Sequence, residues 1–517
     1  MCCYANSARI YCEVRMPPSN NFLAVTSSSE NAGLQRGLST TSALGVNIID
    51  MVGVGPFVTL PLIVTTMGGP QAMLGWLLGA LLSLCDGLIW SELGSAYPEA
   101  GGSYVYLKHL YGGQGLGRAI SFLYAWQLLF SAPLSIASGC IGFSQYMSYL
   151  LPHSGRTLFS ITILHVPFIL SQQSLIAMTV CLLALIALYR KIHSIERVVK
   201  ALGIVVVLAL LWIIFAGFTH FNAHQAFDFP AGAFRLNSGF FAGLGAGMLI
   251  SAYDYWGYYN ICFLGGEVRD PQRSIPRAVL GSVTIVGTFY LLMNISVLGV
   301  IPWRELTSAT TGNARMYIMA ILMQRIYGHT AAVAIVLLIS LAAAASVLAL
   351  LLGYSRIPYA AARDGNFPAI FGRLHPRFRI PHVSLVTLTC MTLFCCLFRL
   401  QEVISTLVVI RILFQFLIQG VGVLLPRHRH ARRTGTFKMM LYPIPVLLAL
   451  IGFLFILFSR ANFLREIRTS TIVLLVGAVV YTLRLYRIER DPPKPQPNQN
   501  VVSRVTPAGD WDHHESV

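Results

Sequence analysis

The sequence predicts an all-α protein whose helices cross a membrane, and two observations support this fold class. The chain of 517 residues is 55% hydrophobic and only 11% charged, with a mean hydropathy of +0.66. A soluble domain carries about 25% charged residues, so this chain cannot cover a water-facing surface of its own size. The second observation is a series of long apolar runs, because about 20 apolar residues span the hydrocarbon core as a helix.

Twelve spanning helices are predicted from these runs. They lie near residues 41–66, 71–95, 118–150, 166–189, 199–219, 239–265, 277–301, 329–360, 383–399, 402–425, 439–459 and 468–487. Residues 312–327 are expected to form an extracellular helical loop. Polar tails are expected on both sides of this 39–490 domain: a cytoplasmic one over residues 1–38, where Met16 is an alternative start, and a Pro-rich, disordered cytoplasmic one over residues 491–517.

Basic residues indicate the orientation. The 37 Lys and Arg outnumber the 20 Asp and Glu and give a formal charge of +17. In a soluble protein this excess would suggest nucleic acid, but in a membrane protein Lys- and Arg-rich cytoplasmic loops explain it, so no nucleic-acid partner is expected. The richer loops lie near residues 108–118, 190–200, 269–277, 356–379 and 427–438. Both termini fall on this side, which predicts a multi-pass protein of the cell membrane with cytoplasmic N- and C-termini.

No motif indicates enzymatic chemistry. The ten cysteines lie mostly within apolar runs, without the spacing of a metal site or a disulfide framework. The sequence contains no HExxH, GxSxG or P-loop pattern, and its histidines are scattered over loops and helix ends. We therefore expect neither an enzyme nor a bound metal or cofactor. A channel is not favoured either, since the sequence has no filter-like repeat or pore-lining ring of charge.

The first predicted helix is interrupted within the stretch NIIDMVGVGPF, residues 47–57. Its glycines and proline would break a helix, because proline removes a backbone donor. Unpaired backbone at membrane depth survives only where it lines a cavity or is buried in protein. One interpretation is a discontinuous helix whose free N–H groups bind a substrate anion such as a carboxylate. The other is a packing kink, since Gly and Pro are common in membrane helices. The candidate residues are Val52, Gly53, Val54, Gly55 and Pro56.

The sixth predicted helix is interrupted as well, by an acid and several aromatic side chains. The candidate residues are Tyr253, Asp254, Tyr255, Trp256 and Gly257. A carboxylate near the bilayer centre costs about 2.5 kcal/mol or more on insertion scales, so Asp254 should face a cavity or a partner. It would hold a substrate amine or accept a proton, and the alternative is a cap on the second half of this helix. Interruptions in the first and sixth helices, five apart, are typical of inverted-repeat transporters.

Four motifs resemble those of a known family. Residues 53–57 (GVGPF) resemble the Gly-rich break in the first helix of the amino acid–polyamine–organocation (APC) superfamily, and residues 98–106 (PEAGGSYVY) resemble its entry to the third helix. Residues 266–278 (GEVRDPQRSIPRA) and 355–368 (SRIPYAAARDGNFP) are similar to its loops after the sixth and eighth helices. The motifs occur in the expected order over about residues 40–425, in a pattern similar to the L-type amino acid and polyamine uptake branch.

The resemblance implies a five-plus-five inverted repeat followed by two extra C-terminal helices, with alternating access by rocking of the helix bundle. It also implies that the backbone of residues 52–56 receives the substrate carboxylate. Tyr253 would close over bound substrate as an aromatic gate, and the unwound residues 254–257 would receive the amine. The loops after the sixth and eighth helices look structural and cytoplasmic.

The resemblance also bears on the coupling ion. Sodium-coupled relatives carry neighbouring hydroxyls on the eighth helix, whereas here Ser340 and Ser346 are separated by leucine and alanines. A hard cation needs several oxygen ligands, and this stretch offers too few of them for a sodium site. Some proton-coupled or sodium-independent relatives place a fifth-helix lysine there, and Lys200 is the candidate; the alternative is an ordinary cytoplasmic lysine at a helix start. Asp86 and Glu92 in the second helix are further proton-carrier candidates.

The predicted function is secondary active transport of amino acids, proton-coupled or sodium-independent. Light chains of this family bond a glycoprotein heavy chain through a cysteine between the third and fourth helices; residues 151–171 contain none, so no such partner is expected. One alternative is a permease for polyamines such as putrescine or spermidine, or for another organic cation, with Asp50 as a second acid beside Asp254. Another is a non-transporting sensor with the same fold.

Overall fold

A computed structural model describes residues 34–151, 155–163, 166–307, 316–398, 409, 411–425, 436–460 and 463–490. The predicted tails other than residues 34–38, the alternative start at Met16 and the basic stretch 427–433 lie outside these ranges. Leu38, the last residue of the predicted N-terminal tail, is fully buried and pairs its backbone with Val268 in a parallel bridge. The folded part therefore begins slightly before the predicted boundary.

The described residues form helices, connecting loops and one β-hairpin. Before the hairpin lie α1 (Thr40–Met51), α2 (Gly55–Met67), α3 (Met73–Ala96), α4 (Ser103–Leu110) and α5 (Leu116–Met147). The hairpin consists of β1 (Thr157–Ile163) and β2 (Val166–Ser171). It is followed by α6 (Gln172–Leu188), α7 (Ile192–Thr219), α8 (Ala223–Ala226), α9 (Ser238–Tyr255), α10 (Asn260–Phe263), α11 (Pro271–Leu298), α12 (Trp303–Thr307) and α13 (Ile318–Tyr327). The remaining elements are α14 (His329–Tyr354), α15 (Arg356–Arg363), α16 (His382–Cys395), a π-helical stretch (Ile412–Ile418), α17 (Gln419–Leu424), α18 (Ile444–Phe458) and α19 (Phe463–Arg490).

Within the described ranges, six helices are long and apolar enough to cross a membrane: Pro70–Ala96, Leu116–Met147, Ile192–Thr219, Pro271–Leu298, His329–Arg363 and Phe463–Tyr486. Together, α1 and α2 make a seventh candidate span, bent by 46° at its break. Shorter helices occupy the other predicted spans. The protein is a helical, multi-pass membrane protein, while the count of twelve spans and the inverted repeat stay predictions.

The fourth predicted helix starts later than expected. A helix from residue 166 is wrong, because Val166–Ser171 pair antiparallel with Thr157–Ile163 and α6 begins only at Gln172. Hydropathy alone does not separate a short apolar strand from a helix, and the β-branched and aromatic residues here favour a strand. Ser171 then caps α6, since its Oγ accepts a hydrogen bond from the Ser174 N–H at 3.1 Å.

The break in the first helix is confirmed. Helix α1 ends at Met51, and α2 begins at Gly55 with Pro56 in its first turn, where a missing N–H costs no helical hydrogen bond. The first half, α1, is tied to the sixth helix through Asn47. Its Nδ2 donates to the Tyr258 carbonyl at 2.5 Å, and its Oδ1 accepts from the Ile261 N–H at 2.9 Å.

The break in the sixth helix is confirmed as well, because α9 ends at Tyr255 and α10 begins at Asn260. Gly257 lies between them with φ of 122°, in the region that favours glycine. A Cβ on Gly257 would lie 2.8 Å from the Met51 backbone nitrogen, so the two breaks pack closely. Tyr290 of α11 joins them, since its hydroxyl donates to the Met51 carbonyl at 2.8 Å and lies 3.5 Å from that of Asp254.

The two loops expected to be structural are joined by a buried ion pair. Arg356 donates from Nε to Glu267 Oε1 at 2.8 Å and from Nη2 to Glu267 Oε2 at 3.1 Å. Both side chains are almost completely buried. This pair connects the segment after the broken sixth helix to the end of the eighth, and removal of either partner would leave an uncompensated buried charge.

Candidate substrate-binding site

A cavity of about 140 Å³ lies between the two helix breaks. Eight of the ten predicted binding residues line it: Gly53, Val54, Gly55, Pro56, Tyr253, Asp254, Trp256 and Gly257. The other two, Val52 and Tyr255, are fully buried outside its lining. An engineered cavity of about 150 Å³ accommodates benzene, so this one has room for one small organic molecule.

Three residues of the first break line the cavity and have backbone amides that are unpaired among the described residues. The N–H groups of Gly53, Val54 and Gly55 donate to no backbone acceptor in the described part of the chain. Their neighbours are paired, since the Val52 N–H donates to the Ile48 carbonyl at 2.8 Å and the Phe57 N–H to the Val54 carbonyl at 3.2 Å. Free amides at the N-terminus of α2 coincide with the positive end of its dipole and suit an anion.

The Asp254 carboxylate lies against the same helix start. Its Oδ2 accepts from Thr59 Oγ1 at 2.5 Å, and its Oδ1 has no hydrogen-bond partner among the described residues. A Cβ on Gly55 would lie 2.3 Å from that Oδ1, which places the carboxylate at the first turn of α2. The alternative role as a cap of the second half of the sixth helix is wrong, because Tyr259 occupies that cap position.

Tyr253 spans the cavity between two helices. Its hydroxyl donates to Ser138 Oγ of α5 at 2.9 Å, and its ring meets that of Trp256 edge-on at 5.9 Å between centroids. This position allows the side chain to cover a ligand lying between the breaks.

Asp50, the acid considered for a cationic substrate, also lines the cavity. Its Oδ2 accepts from Asn260 Nδ2 at 2.8 Å, and the same Nδ2 lies 2.8 Å from the Ala349 carbonyl. The Asp50 backbone carbonyl accepts from Ser346 Oγ of the eighth helix at 3.3 Å. Two acids therefore border one small cavity.

Arg411 is a cavity residue that the sequence reasoning missed. It stands in the predicted tenth helix, is only 1% exposed and lines the cavity. Its Nη1 lies 3.4 Å from the Tyr259 hydroxyl, and its guanidinium carbon lies 4.9 Å from the ring centroid of Tyr354 and 5.7 Å from that of Trp256. A single charged residue within an apolar run is the signal that could have identified Arg411, because the same signal identified Asp254.

The structure does not bring Lys200 into the cavity lining. Helix α7 begins at Ile192, so Lys200 lies in the third turn and not at the helix start. Its Nζ lies 3.1 Å from Glu196 Oε1, which also accepts from Ser42 Oγ of α1 at 2.8 Å. The Lys200 side chain is 44% exposed.

The other two proton-carrier candidates in the second helix are buried away from the cavity. Asp86 accepts from the Tyr258 hydroxyl at 2.5 Å, and Glu92 accepts from the Met439 N–H at 2.8 Å. Across the described ranges, no group of three or more His, Cys, Asp or Glu side chains is arranged to hold a metal ion.

Comparison with known protein families identifies the family of this chain. The family model described as "Amino acid permease" matches residues 37–481, which include both breaks and Arg411. This chain belongs to the amino acid permease family. The resemblance to the APC superfamily is thereby confirmed, since the permease match extends from the end of the N-terminal tail into α19.

Several characterised transporters are similar to this permease. The serine/threonine exchanger SteT of Bacillus subtilis is 25% identical over 83% of this chain and 92% of its own length. The branched-chain amino acid permease BcaP of Lactococcus lactis is 25% identical over 86% of this chain and 93% of its own length. Cationic amino acid transporter 4 of Mus musculus is 26% identical over 71% of this chain, but the match spans only 56% of that protein.

Proposed function

We propose that this permease is a secondary active transporter of amino acids that works by alternating access, with the substrate bound between the two helix breaks. The observation that carries the proposal is that residues lining one cavity supply both backbone amides and a carboxylate oxygen without hydrogen-bond partners among the described residues. An amino acid carries both complementary charges on adjacent atoms. The names of the relatives, which include a serine/threonine exchanger and a branched-chain amino acid permease, support this substrate class.

In this proposal each charge of the substrate has a partner. The carboxylate accepts hydrogen bonds from the amides of Gly53, Val54 and Gly55, where the dipole of α2 favours an anion. The ammonium group donates to Asp254 Oδ1, which replaces part of the hydration that the group loses in the cavity. Tyr253 covers the site from the side of α5 while its hydroxyl donates a hydrogen bond to Ser138. Separation of α5 from α9 would open the site.

Proton coupling or sodium independence is also part of the proposal. Ser346 donates its hydroxyl to the Asp50 carbonyl, so that carbonyl already has a hydrogen-bond partner on the eighth helix. Lys200 is proposed to act indirectly, because Glu196 connects it to Ser42 on the first helix. Loss of the Lys200–Glu196 ion pair would weaken the contact between α7 and α1. It would thereby alter the movement of the first break.

Transport of a polyamine or another organic cation is the second candidate. The observation that favours it is the presence of two acids, Asp50 and Asp254, on the same cavity. A diamine could place one ammonium group at each carboxylate. The amides of the first break would then have no ligand group to bind, which is why the amino acid is preferred.

Uptake by the purified full-length protein in liposomes tests this function. The panel contains labelled serine, threonine, leucine and arginine beside putrescine and spermidine, measured with and without an inward proton gradient and with unlabelled substrate inside to reveal exchange. We expect uptake of at least one amino acid and little uptake of polyamine. Absence of amino acid flux under every gradient and in exchange would contradict the proposal.

The same liposomes test the coupling residue. We expect Lys200→Ala to reduce the stimulation by the proton gradient while uptake by exchange is retained. Lys191→Ala, at the exposed start of the same helix, is the matched control and should behave like the wild type. Equal stimulation of the wild type and Lys200→Ala would contradict a role for this lysine.

A further inference from the structure

Arg411 lines the cavity and has a hydrogen-bonding edge without a partner among the described residues. The guanidinium group has three nitrogens, and among the described residues Nη1 lies 3.4 Å from the Tyr259 hydroxyl. Nε and Nη2 are buried and have no hydrogen-bond partner in the part of the chain that the structure describes. Buried arginine donors are costly to leave unpaired, so an empty pair of them on a residue that lines a cavity points to a ligand.

The shape of this edge specifies the ligand. Nε and Nη2 form one side of the planar guanidinium, which matches the two oxygens of a carboxylate. Arg356 shows this pairing within the same protein, because it binds Glu267 through its own Nε and Nη2 at 2.8 and 3.1 Å. For Arg411, no described carboxylate oxygen lies within ion-pairing distance of the corresponding atoms.

The surroundings of Arg411 hold the guanidinium in place. The rings of Tyr354 and Trp256 contact it, and the Tyr259 hydroxyl fixes its other edge. Cation–π contacts stabilise the charge but leave the in-plane N–H donors available. Arg411 is thus oriented before any ligand arrives, which lowers the cost of binding.

The size of the cavity limits how many groups it can hold. At about 140 Å³ it holds one small molecule, and Gly53, Gly55, Asp254 and Arg411 all line it. The carboxylate of one substrate molecule can therefore accept hydrogen bonds from two sides, from the amides of the first helix and from the guanidinium of the tenth. A polyamine would place an ammonium group beside Arg411, and this like-charge contact is unfavourable.

We infer that Arg411 is a specificity-determining residue that binds the substrate carboxylate through its Nε and Nη2 atoms. The inference rests on the proposed amino acid transport and deepens it, because it makes a free carboxylate a requirement for binding. The substrate class is then α-amino acids, with their amides, decarboxylated amines and polyamines excluded.

Ligand binding by the purified full-length protein tests this inference independently of transport. Thermal stabilisation is titrated with serine, threonine, leucine and arginine, and then with the amide and the decarboxylated amine of the amino acid that stabilises most. For the wild type we expect stabilisation by the amino acid at concentrations about 10- to 100-fold lower than by its amide, as expected for loss of charge-assisted hydrogen bonds. Arg411→Gln should bring this ratio close to one.

Two further variants separate recognition from folding. Arg411→Lys keeps the charge but lacks the planar pair of donors, so it should show an intermediate ratio. Arg304→Gln removes an exposed arginine that pairs with Asp228 outside the membrane-spanning helices, and it should keep the wild-type ratio. A merely structural role of Arg411 would lower stability for every ligand condition alike and leave the ratio unchanged.

Three results would overturn the inference: an unchanged ratio in Arg411→Gln, equal stabilisation of the wild type by the amino acid and its amide, or no stabilisation of the wild type by any of the amino acids. Binding that depends on Arg411 without flux in liposomes would instead contradict only the proposed transport. The two proposals can therefore fail separately.

Discussion

At the scale of single residues, the site depends on the close approach of Gly55 and Asp254. The carboxylate of Asp254 occupies the space where any larger residue at position 55 would place its Cβ. Thr59 fixes one oxygen of that carboxylate and leaves the other available. A glycine at position 55 is therefore required by the contact between the two breaks and not by its backbone conformation.

Gly55→Ala should impair substrate binding without unfolding the protein. The added methyl group would displace the Asp254 side chain, which can rotate, while Gly55 has no positive φ that would strain an alanine. We expect the KM for the transported amino acid to rise about tenfold or more, since one charge-assisted hydrogen bond is lost. Uptake kinetics and thermal unfolding would be measured together.

The matched control for this change is Gly45→Ala in α1. Its nearest neighbour would be Val199 Cγ1 at 3.4 Å, a contact that involves no cavity residue. The control should keep the wild-type KM. An unchanged KM in Gly55→Ala would show that the position of the Asp254 carboxylate does not matter for binding.

At the scale of secondary-structure elements, the broken sixth helix depends on Gly257. A residue with a side chain at φ of 122° is strained, and here the Cβ would also meet the backbone of Asp50 and Met51. The strain and the clash act together, because the backbone atoms of the first break cannot move without disturbing α1 and α2. The packing of one break against the other therefore requires glycine at this position.

We expect Gly257→Ala to destabilise the protein and to abolish most uptake. The left-handed backbone alone costs about 1–2 kcal/mol for a residue with a Cβ, and the contact with the first break adds to it. Gly113→Ala is the matched control, since Gly113 also has a positive φ (72°) but has open space around it. Thermal unfolding of both variants measures the difference, and equal destabilisation would contradict tight packing between the breaks.

Some of these elements and site residues could be predicted from the sequence, and others could not. The two helix breaks were predictable because glycine, proline and a charged residue interrupt long apolar runs. The β-hairpin before α6 was not, since residues 166–171 are as apolar as a helix would be. Arg411 was not predicted, although its position as a single charge in an apolar run carries the same information. The neighbours of Lys200 depend on tertiary contacts that no local pattern reveals.

At the scale of the whole molecule, the cavity joins helices that are distant in the chain. The first, third, sixth, eighth and tenth predicted helices contribute Gly53, Ser138, Asp254, Ser346 and Arg411, respectively. Beyond the cavity, the buried pair of Arg356 and Glu267 ties the loops after the sixth and eighth helices. Movement of the bundle would therefore change the site and these loops together, which is what alternating access requires.

The proposed function depends above all on the binding of an amino acid between the two helix breaks. The most direct measurement is a cryo-electron microscopy map of the permease in lipid nanodiscs, with saturating amino acid and without it. We expect additional density in the cavity, with the carboxylate near the amides of residues 53–55 and Arg411 and the ammonium group near Asp254. Ligand density at another place, or an unchanged cavity under conditions of proven binding, would contradict it.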